Sequence, residues 1–380
     1  MKHLILILAI LALLSGCASE VSYYKRGVRY EKEGKFSKAI DSYKKSVKRS
    51  PEYALSYYGM GSVYVKTKRW DNALEQLLKA NELGIDDQDI HMMLGSVYEA
   101  LNRMDLAAEE YGKAIKDRPD DVRTHMQLGA SHEKAGKKEY ALTEYNSALA
   151  IAPDFPEAYF HSARMLSALN RFREAEETYK QALEFKRKYP QAQNNLTVLY
   201  LRTNQTMKAF ESARQTLEMD SGYAPGIVNM GVVQEIMGNR KKAEEHYRKA
   251  IKISQNYDMG HYRLALLLLK SENEEEARHE LETALQYNPQ LAPAYNEMAI
   301  LELETGNYHN ALELLNTAVR VDSTYSSAFY NMGGIYANTG EYFKAAEAYT
   351  RYLTYAEAPE DSVQVAAKIK IFQSMGKTGR

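Results

Sequence analysis

The chain has 380 residues, of which 49 are basic and 50 are acidic, so its formal net charge is −1. Proteins that bind the phosphate backbone of nucleic acids depend on clustered Lys and Arg, so a chain with balanced charge is a poor candidate for that function. The length exceeds that of most single domains, which predicts either two domains or an array of repeats.

The first predicted element is an apolar segment that follows Lys2 and runs without interruption from Leu4 to Leu14. As a helix it would be roughly 16 Å long, about half the thickness of the hydrocarbon core of a bilayer, and therefore too short to cross it. A basic start, a short apolar centre and small residues at the end are typical of an export signal that is removed from the mature protein. We therefore predict a signal peptide at residues 1–16.

The only cysteine of the chain follows this segment, in the tetrapeptide Leu14-Ser15-Gly16-Cys17. The tetrapeptide resembles the lipobox of bacterial lipoproteins, in which the cysteine is lipidated and becomes the first residue after cleavage. The resemblance implies a lipid anchor on Cys17 and a short tether at residues 17–19, and two or three acyl chains would hold the protein stably on a membrane. Ala18 stands where an Asp favours retention at the inner membrane, which implies transport to the outer membrane. The alternatives are an ordinary signal peptide with a free cysteine and a buried N-terminal helix.

From residue 20 the sequence repeats every 34 residues, and ten frames fit without a gap. We number positions from the first residue of each frame. Position 20 is Ala in all ten frames, and position 8 is small in nine, with Thr197 as the exception. Position 15 is Gly or Asn in eight frames, residues that tolerate the left-handed backbone conformation after a helix, so each frame predicts two helices joined by a tight turn. The frames are 20–53, 54–87, 88–121, 122–155, 156–189, 190–223, 224–257, 258–291, 292–325 and 326–359.

This pattern resembles the tetratricopeptide repeat, and the resemblance covers residues 20–359. It implies an all-α fold, a right-handed α-solenoid of ten helix-turn-helix repeats with a concave groove. One helix pair cannot bury its apolar face alone, whereas stacked pairs share a continuous core.

Residues 360–380 are predicted to form a capping helix and a tail. An apolar stripe is predicted to face the array, with a partner-binding amphipathic helix as the alternative. The stripe consists of Val363, Ala366, Ile369, Phe372 and Met375.

The sixth frame departs most from the pattern, because positions that are usually aromatic or small hold other residues. These are Gln193, Thr197, Ala213, Thr216 and Ser221. A weak interface between repeats lowers local stability, so this frame predicts a hinge, with simple sequence drift as the alternative.

Catalytic and metal-binding motifs are not found in the sequence: it has no Gly-rich phosphate loop, no nucleophile elbow and no pair of cysteines. His91, His125 and His261 all fall at position 4, where other frames carry Tyr, which predicts a packing role rather than metal ligation. We therefore expect no enzymatic activity, no cofactor and no metal.

In this repeat family, positions 2, 5, 9, 12 and 13 line the groove. Position 5 is aromatic or Met through the first five frames, and such side chains are favoured at protein interfaces. These candidate partner-binding residues are Tyr24, Tyr58, Met92, Met126 and Phe160. The alternative is half-buried packing between adjacent first helices.

Position 12 of the groove holds an acidic residue in four frames. The four are Glu31, Glu99, Glu133 and Glu235. They predict a negatively charged groove suited to an apolar segment flanked by Lys or Arg, with ordinary solvated Glu on a helix surface as the alternative. The residue set by which chaperone-binding relatives clamp a terminal carboxylate is absent from positions 5 and 9.

Together, these resemblances imply a protein-interaction scaffold, lipid-anchored in the outer membrane and facing the periplasm. It is similar to tetratricopeptide lipoproteins that act as pilotins for pilus secretins or as adaptors for envelope proteases and peptidoglycan enzymes. The alternative is a scaffold for polysaccharide export or attachment. We expect protein partners in the groove, contact with the membrane through the lipid only, and no nucleic acid.

Overall fold

The computed structural model describes residues 20–356 and 361–378, and all regular secondary structure in these ranges is helical. The predicted signal peptide and Cys17 lie outside the described residues. The chain divides into two compact units, the first ending at Arg187 and the second beginning at Lys188. None of the helices in these ranges combines the length and the apolarity that crossing a membrane requires.

Each unit is built from five tandem helix pairs, and the first residues of the predicted frames coincide with the starts of first helices from the second pair onward. In the first unit the helices are α1 (20–32), α2 (Phe36–Arg49), α3 (Ala54–Lys66), α4 (Trp70–Glu82), α5 (Gln88–Ala100), α6 (Met104–Asp117), α7 (Val122–Lys134), α8 (Lys138–Ile151), α9 (Pro156–Ala168) and α10 (Phe172–Phe185).

The second unit adds one helix after its five pairs. Its helices are α11 (Pro190–Arg202), α12 (Thr206–Met219), α13 (Ala224–Ile236), α14 (Arg240–Ile253), α15 (Asp258–Leu269), α16 (Glu274–Tyr287), α17 (Ala292–Glu304), α18 (Tyr308–Val321), α19 (Ser326–Asn338), α20 (Tyr342–Tyr355) and α21 (Ser362–Thr378). Within each unit the two helices of a pair pack together, and the second helix packs on the first helix of the next pair. The prediction of an all-α solenoid is confirmed.

The turn inside each pair depends on one residue with positive φ, at position 15. All ten residues at this position adopt that conformation, including Lys68 (φ 56°) and Glu272 (φ 58°), which are neither Gly nor Asn. A side chain with a Cβ atom is disfavoured in this region. The packing of the two helices therefore imposes the turn even where the residue at position 15 does not favour it.

The core of each pair depends on complementary sizes at positions 8 and 24. A Cβ atom added to Gly95 would lie 2.5 Å from the ring of Tyr111, which is fully buried. Where position 24 is Leu281, the small residue opposite is Ala265, and both are fully buried. The residue at position 8 must thus be small, because the side chain at position 24 packs directly against it.

The sixth pair reverses these sizes, since Thr197 and Ala213, both buried, take the places of the small and the large residue. Its polar core residues are satisfied: the amide of Gln193 donates to Ser212 Oγ at 3.0 Å and to Gln215 Oε1 at 2.8 Å. Among the residues that suggested a weak interface, Gln193 is therefore hydrogen-bonded, and the larger Thr197 is matched by the smaller Ala213. The hinge stays a prediction.

Helix α21 packs against α20, with the ring of Phe372 stacked 6.1 Å from that of Tyr349. The predicted stripe is partly wrong, because Val363 is 80% exposed and Val365 is buried instead. Five residues spaced three apart drift around a helix of 3.6 residues per turn, so they cannot all face one neighbour.

Candidate partner-binding surface

The predicted partner-binding residues at position 5 lie on the first helices of the first unit, and we call them the position-5 row. Each of the five is half-buried. Three of them, Tyr24, Tyr58 and Met92, pack at the edge of the same core cluster. The structure therefore leaves only part of each side chain available to a partner.

Several contacts hold the row in place. The ring of Tyr24 packs edge-on against that of Tyr53, with 5.6 Å between centroids. Thr124 Oγ1 donates to the sulfur of Met92 at 3.2 Å, which joins α5 to α7. The guanidinium of Arg164 lies 5.8 Å from the ring centre of Phe160. Packing and exposure thus coexist in the row, so the packing alternative accounts for the buried part of these side chains.

Tyr58 lies in an acidic part of this surface. Burial, together with the carboxylates of Asp89 and Asp87 and the neighbouring Tyr24, raises the pKa of Tyr58 to about 12. The hydroxyl therefore stays protonated at neutral pH and is able to donate a hydrogen bond.

The acidic residues at position 12 are not free charges. Each accepts a hydrogen bond from the Tyr at position 24 of its own repeat and pairs with a cation of the next repeat, an arrangement we call the glutamate clasp. The Tyr-to-Glu bonds are Tyr43 to Glu31 (2.7 Å), Tyr111 to Glu99 (3.0 Å), Tyr145 to Glu133 (2.9 Å) and Tyr247 to Glu235 (3.0 Å). The cations are Lys66, Lys134, Arg164 and Lys270.

The first clasp illustrates the electrostatics. Burial raises the pKa of Glu31, but hydrogen bonds from Lys66, Tyr43 and Ser62 outweigh burial and hold that pKa below its ordinary value. The carboxylate is thus ionised and already neutralised by Lys66, whose nitrogen lies 2.6 Å away. The prediction that these residues make the groove negative is wrong, because each charge is compensated across a repeat boundary.

Two of the three histidines at position 4, His125 and His261, contact the same backbone carbonyl as a tyrosine at this position, whereas His91 Nε2 lies 2.7 Å from the side chain of Asp86. His125 Nε2 lies 3.0 Å from the carbonyl oxygen of Pro119, six residues earlier, and the hydroxyl of Tyr159 donates to Pro153 in the same way at 3.0 Å. His125 Nδ1 also lies 2.8 Å from a carboxylate oxygen of Glu144 at position 23. Among residues 20–356 and 361–378, no three His, Asp or Glu side chains are arranged to hold a metal ion.

His261 has the same arrangement, with Glu280 2.5 Å from Nδ1 and the carbonyl of Gln255 2.9 Å from Nε2. Burial lowers the pKa of His261, but these two hydrogen bonds and the charge of Glu280 outweigh burial and raise that pKa above its ordinary value. The raised pKa favours the protonated ring, which pairs with the carboxylate of Glu280.

A second apolar surface, which the sequence reasoning did not single out, lies on the first helices of the second unit. Position 9 is aliphatic in four successive pairs, and we call these residues the aliphatic row: Val198, Val232, Leu266 and Ile300. Val198 is 38% exposed and the other three are half-buried. In the first unit the same position is mixed, and its residues are Val28, Ser62, Ser96, Ala130 and Arg164. Reading position 9 through all ten frames would have found this row.

Comparison with known proteins finds models of the tetratricopeptide repeat over most of the chain. One, described as a TPR repeat, matches residues 27–68, and others described as tetratricopeptide repeats match 92–156, 134–199, 224–257, 260–291 and 296–362. No curated protein matches the chain.

Solved structures provide more distant similarities. YrrB, described as a TPR protein with an unusual peptide-binding site, is 21% identical, with 48% of this chain and 94% of YrrB covered and a TM-score of 0.45. Yeast Tom70 is 12% identical, with 94% and 96% covered and a TM-score of 0.49. A monomeric mutant of IFIT1 with Gppp-AAAA is 13% identical, with 88% and 90% covered and a TM-score of 0.49. These identities are too low to carry a function to this chain.

Proposed function

Because the chain belongs to the tetratricopeptide repeat family, whose fold typically serves as a non-catalytic scaffold for protein interactions, we propose that it is a membrane-anchored scaffold for an envelope assembly. The observation that carries the proposal is the position-5 row, five partly exposed aromatic and Met side chains on successive first helices. Because the row has one such side chain in each repeat, one extended partner can contact several repeats at once.

The anchor in this proposal is Cys17. It is supported by the tetrapeptide that ends in the only cysteine of the chain and by the short apolar segment before it. Mass spectrometry of membrane-purified protein should find a lipid-modified N-terminus at Cys17, and Cys17→Ala should release the protein from the membrane fraction. An unmodified Cys17 within an intact precursor would exclude the anchor.

The proposed location is the outer membrane with the solenoid in the periplasm, for which Ala18 is the support. The proposed systems are pilus secretin biogenesis and the control of envelope proteases or peptidoglycan enzymes. The support for these systems is the resemblance of the chain to lipoproteins that combine an anchor with repeats of this kind.

The binding surface is best tested at exposed residues one turn before the position-5 row, because replacing the row itself would also remove core packing. Leu55, 41% exposed, precedes Tyr58 by three residues, and the exposed Arg123 precedes Met126 in the same way. A photo-crosslinking amino acid at Leu55 or Arg123 should yield the same adduct in living cells. Lys180, exposed on α10, is the control position.

The result separates the two candidate surfaces. Adducts from Leu55 and Arg123 but not from Lys180 support the position-5 row. A crosslinker is also placed at Val198, and an adduct from that position alone would place the partner on the aliphatic row. Leu55→Ser with Arg123→Ser should weaken capture of the identified partner without lowering the melting temperature, because neither residue is in the core. Equal adducts from all positions would contradict a specific binding surface.

A further inference from the structure

The first helix pair differs from the other nine at two positions. Positions 7 and 10 are buried in every later pair and are mostly apolar, as in Met60 with Val63 and Leu94 with Val97. In α1 the same two positions hold Arg26 and Arg29. Both arginines are exposed, and the side chain of Arg29 is 66% accessible. The face that later pairs use for packing is therefore a cationic surface in the first pair.

The whole first repeat is basic. Between residues 20 and 53 there are ten basic and five acidic residues, a formal charge of +5, in a chain whose total is −1. All ten basic residues are exposed. Of these, Arg29 and Lys35 pair with Glu33, while the guanidinium of Arg26 lies over the ring of Tyr23. Most of the charge is thus available to an external anion.

A solvated end of a repeat array requires polarity but no particular sign of charge. The last helix, α21, exposes Val363 and Ile371, at 80% and 55%, but it also carries three Lys and no acidic residue. What distinguishes the first repeat is its larger number of basic residues, ten against five acidic ones, and the two arginines at positions 7 and 10.

The position of this surface along the chain suggests its partner. Only two residues lie between Cys17 and residue 20, and the three steps along an extended chain span at most about 11 Å. A lipid on Cys17 would hold α1 within that distance of the bilayer surface. Basic clusters beside a lipid anchor are attracted to anionic headgroups and strengthen membrane attachment.

We infer that the cationic face of the first repeat docks on an anionic lipid leaflet, so that the protein meets the membrane through protein as well as lipid. This inference takes its location from the proposed anchor. It goes beyond the expectation that only the lipid touches the membrane, and it would fix the direction in which the first repeats leave the bilayer.

The test uses the mature polypeptide from residue 17 with Cys17→Ser, so that no acyl chain contributes. Sedimentation with vesicles of phosphatidylethanolamine and phosphatidylglycerol should show binding that vesicles of phosphatidylethanolamine and phosphatidylcholine do not. Each basic side chain near an anionic surface changes the partition by about fivefold, so two contribute about 25-fold. Arg26→Glu with Arg29→Glu should therefore lower binding by at least about 25-fold, and high salt should abolish it.

The matched control is Lys241→Glu with Lys249→Glu, which changes the net charge equally at exposed positions of α14. This control should bind nearly as the parent does. If the variant with both arginines changed to Glu has a lowered melting temperature, Arg26→Gln with Arg29→Gln is used instead. We expect it to bind vesicles about 25-fold more weakly than the parent.

Three results would overturn the inference: equal binding to both kinds of vesicle, equal losses in the two charge variants, or binding to an oligonucleotide at phosphate concentrations where vesicles are not bound. None of these measurements involves lipidation or the protein partner. A failure here would therefore leave the proposed scaffold function standing, and a failure to find lipid on Cys17 would leave vesicle binding unaffected.

Discussion

Two glycines inside neighbouring helices should respond in opposite ways to the same substitution. Gly95 lies in α5, and a Cβ atom there would be 2.5 Å from the ring of Tyr111. Gly112 lies in α6, and a Cβ atom there meets nothing within 4 Å. Both have ordinary helical backbone, so Gly→Ala changes helix propensity equally at the two sites.

The magnitudes follow from this difference. Alanine within a helix is favoured over glycine by about 0.5–1 kcal/mol, so Gly112→Ala should stabilise the protein by roughly that amount. At Gly95 the same gain is opposed by about 1–3 kcal/mol of overpacking. The ring of Tyr111 cannot retreat easily, since it is fully buried and its hydroxyl donates to Glu99 at 3.0 Å. Gly95→Ala should therefore destabilise, and the two variants should differ by about 1–3 kcal/mol.

Thermal melts and hydrogen exchange of α5 and α6 measure this difference. Exchange reports the local effect, since long repeat arrays need not unfold in a single step. In a Tyr111→Leu background, Gly95→Ala should cost less, because the pair then copies Ala265 and Leu281 of the eighth repeat. Equal stabilisation by Gly95→Ala and Gly112→Ala would refute the argument from close packing.

Three further outcomes are expected. Ala175 is fully buried and Lys180 is exposed, so Ala175→Phe should cost about 1–3 kcal/mol while Lys180→Phe leaves the melting temperature nearly unchanged. Glu133→Ala removes the acceptor of the Tyr145 hydroxyl and should cost about 1–3 kcal/mol in denaturant unfolding; an unchanged midpoint would contradict the clasp. The raised pKa of His261 means that its stabilising effect is present below its ordinary value of 6.5 and lost as pH rises through the folded value. The advantage over a His261→Tyr variant should therefore shrink in melts from acidic to alkaline pH, and a constant difference would contradict this sign.

The fold could be predicted because each position of the repeat occurs ten times in the sequence. Ala at position 20 recurs in every frame, and all ten are fully buried. The left-handed turn could be read from Gly and Asn in eight frames, but Lys68 and Glu272 adopt it as well. At those two residues tertiary packing overrides local preference, which a single frame cannot reveal.

The candidate site was less predictable, because its electrostatics depend on partners in other repeats. The Glu31 carboxylate is neutralised by Lys66, 35 residues later, and position 12 read alone suggests a free charge. The position-5 row was identified from residue type, which does not reveal how much of Tyr24 or Met92 is buried. The anchor at Cys17 and the identity of the partner remain predictions.

The glutamate clasp also limits which repeats can be removed or exchanged. Deleting residues 54–87 would bring Ala100 opposite Glu31, at the position where Lys66 now stands, so a carboxylate would lose its cation. Deleting residues 122–155 would instead bring Arg164 opposite Glu99, and a clasp would be restored. Repeats of equal length are therefore not interchangeable modules, and the gain or loss of a repeat during evolution would be tolerated at some boundaries and selected against at others.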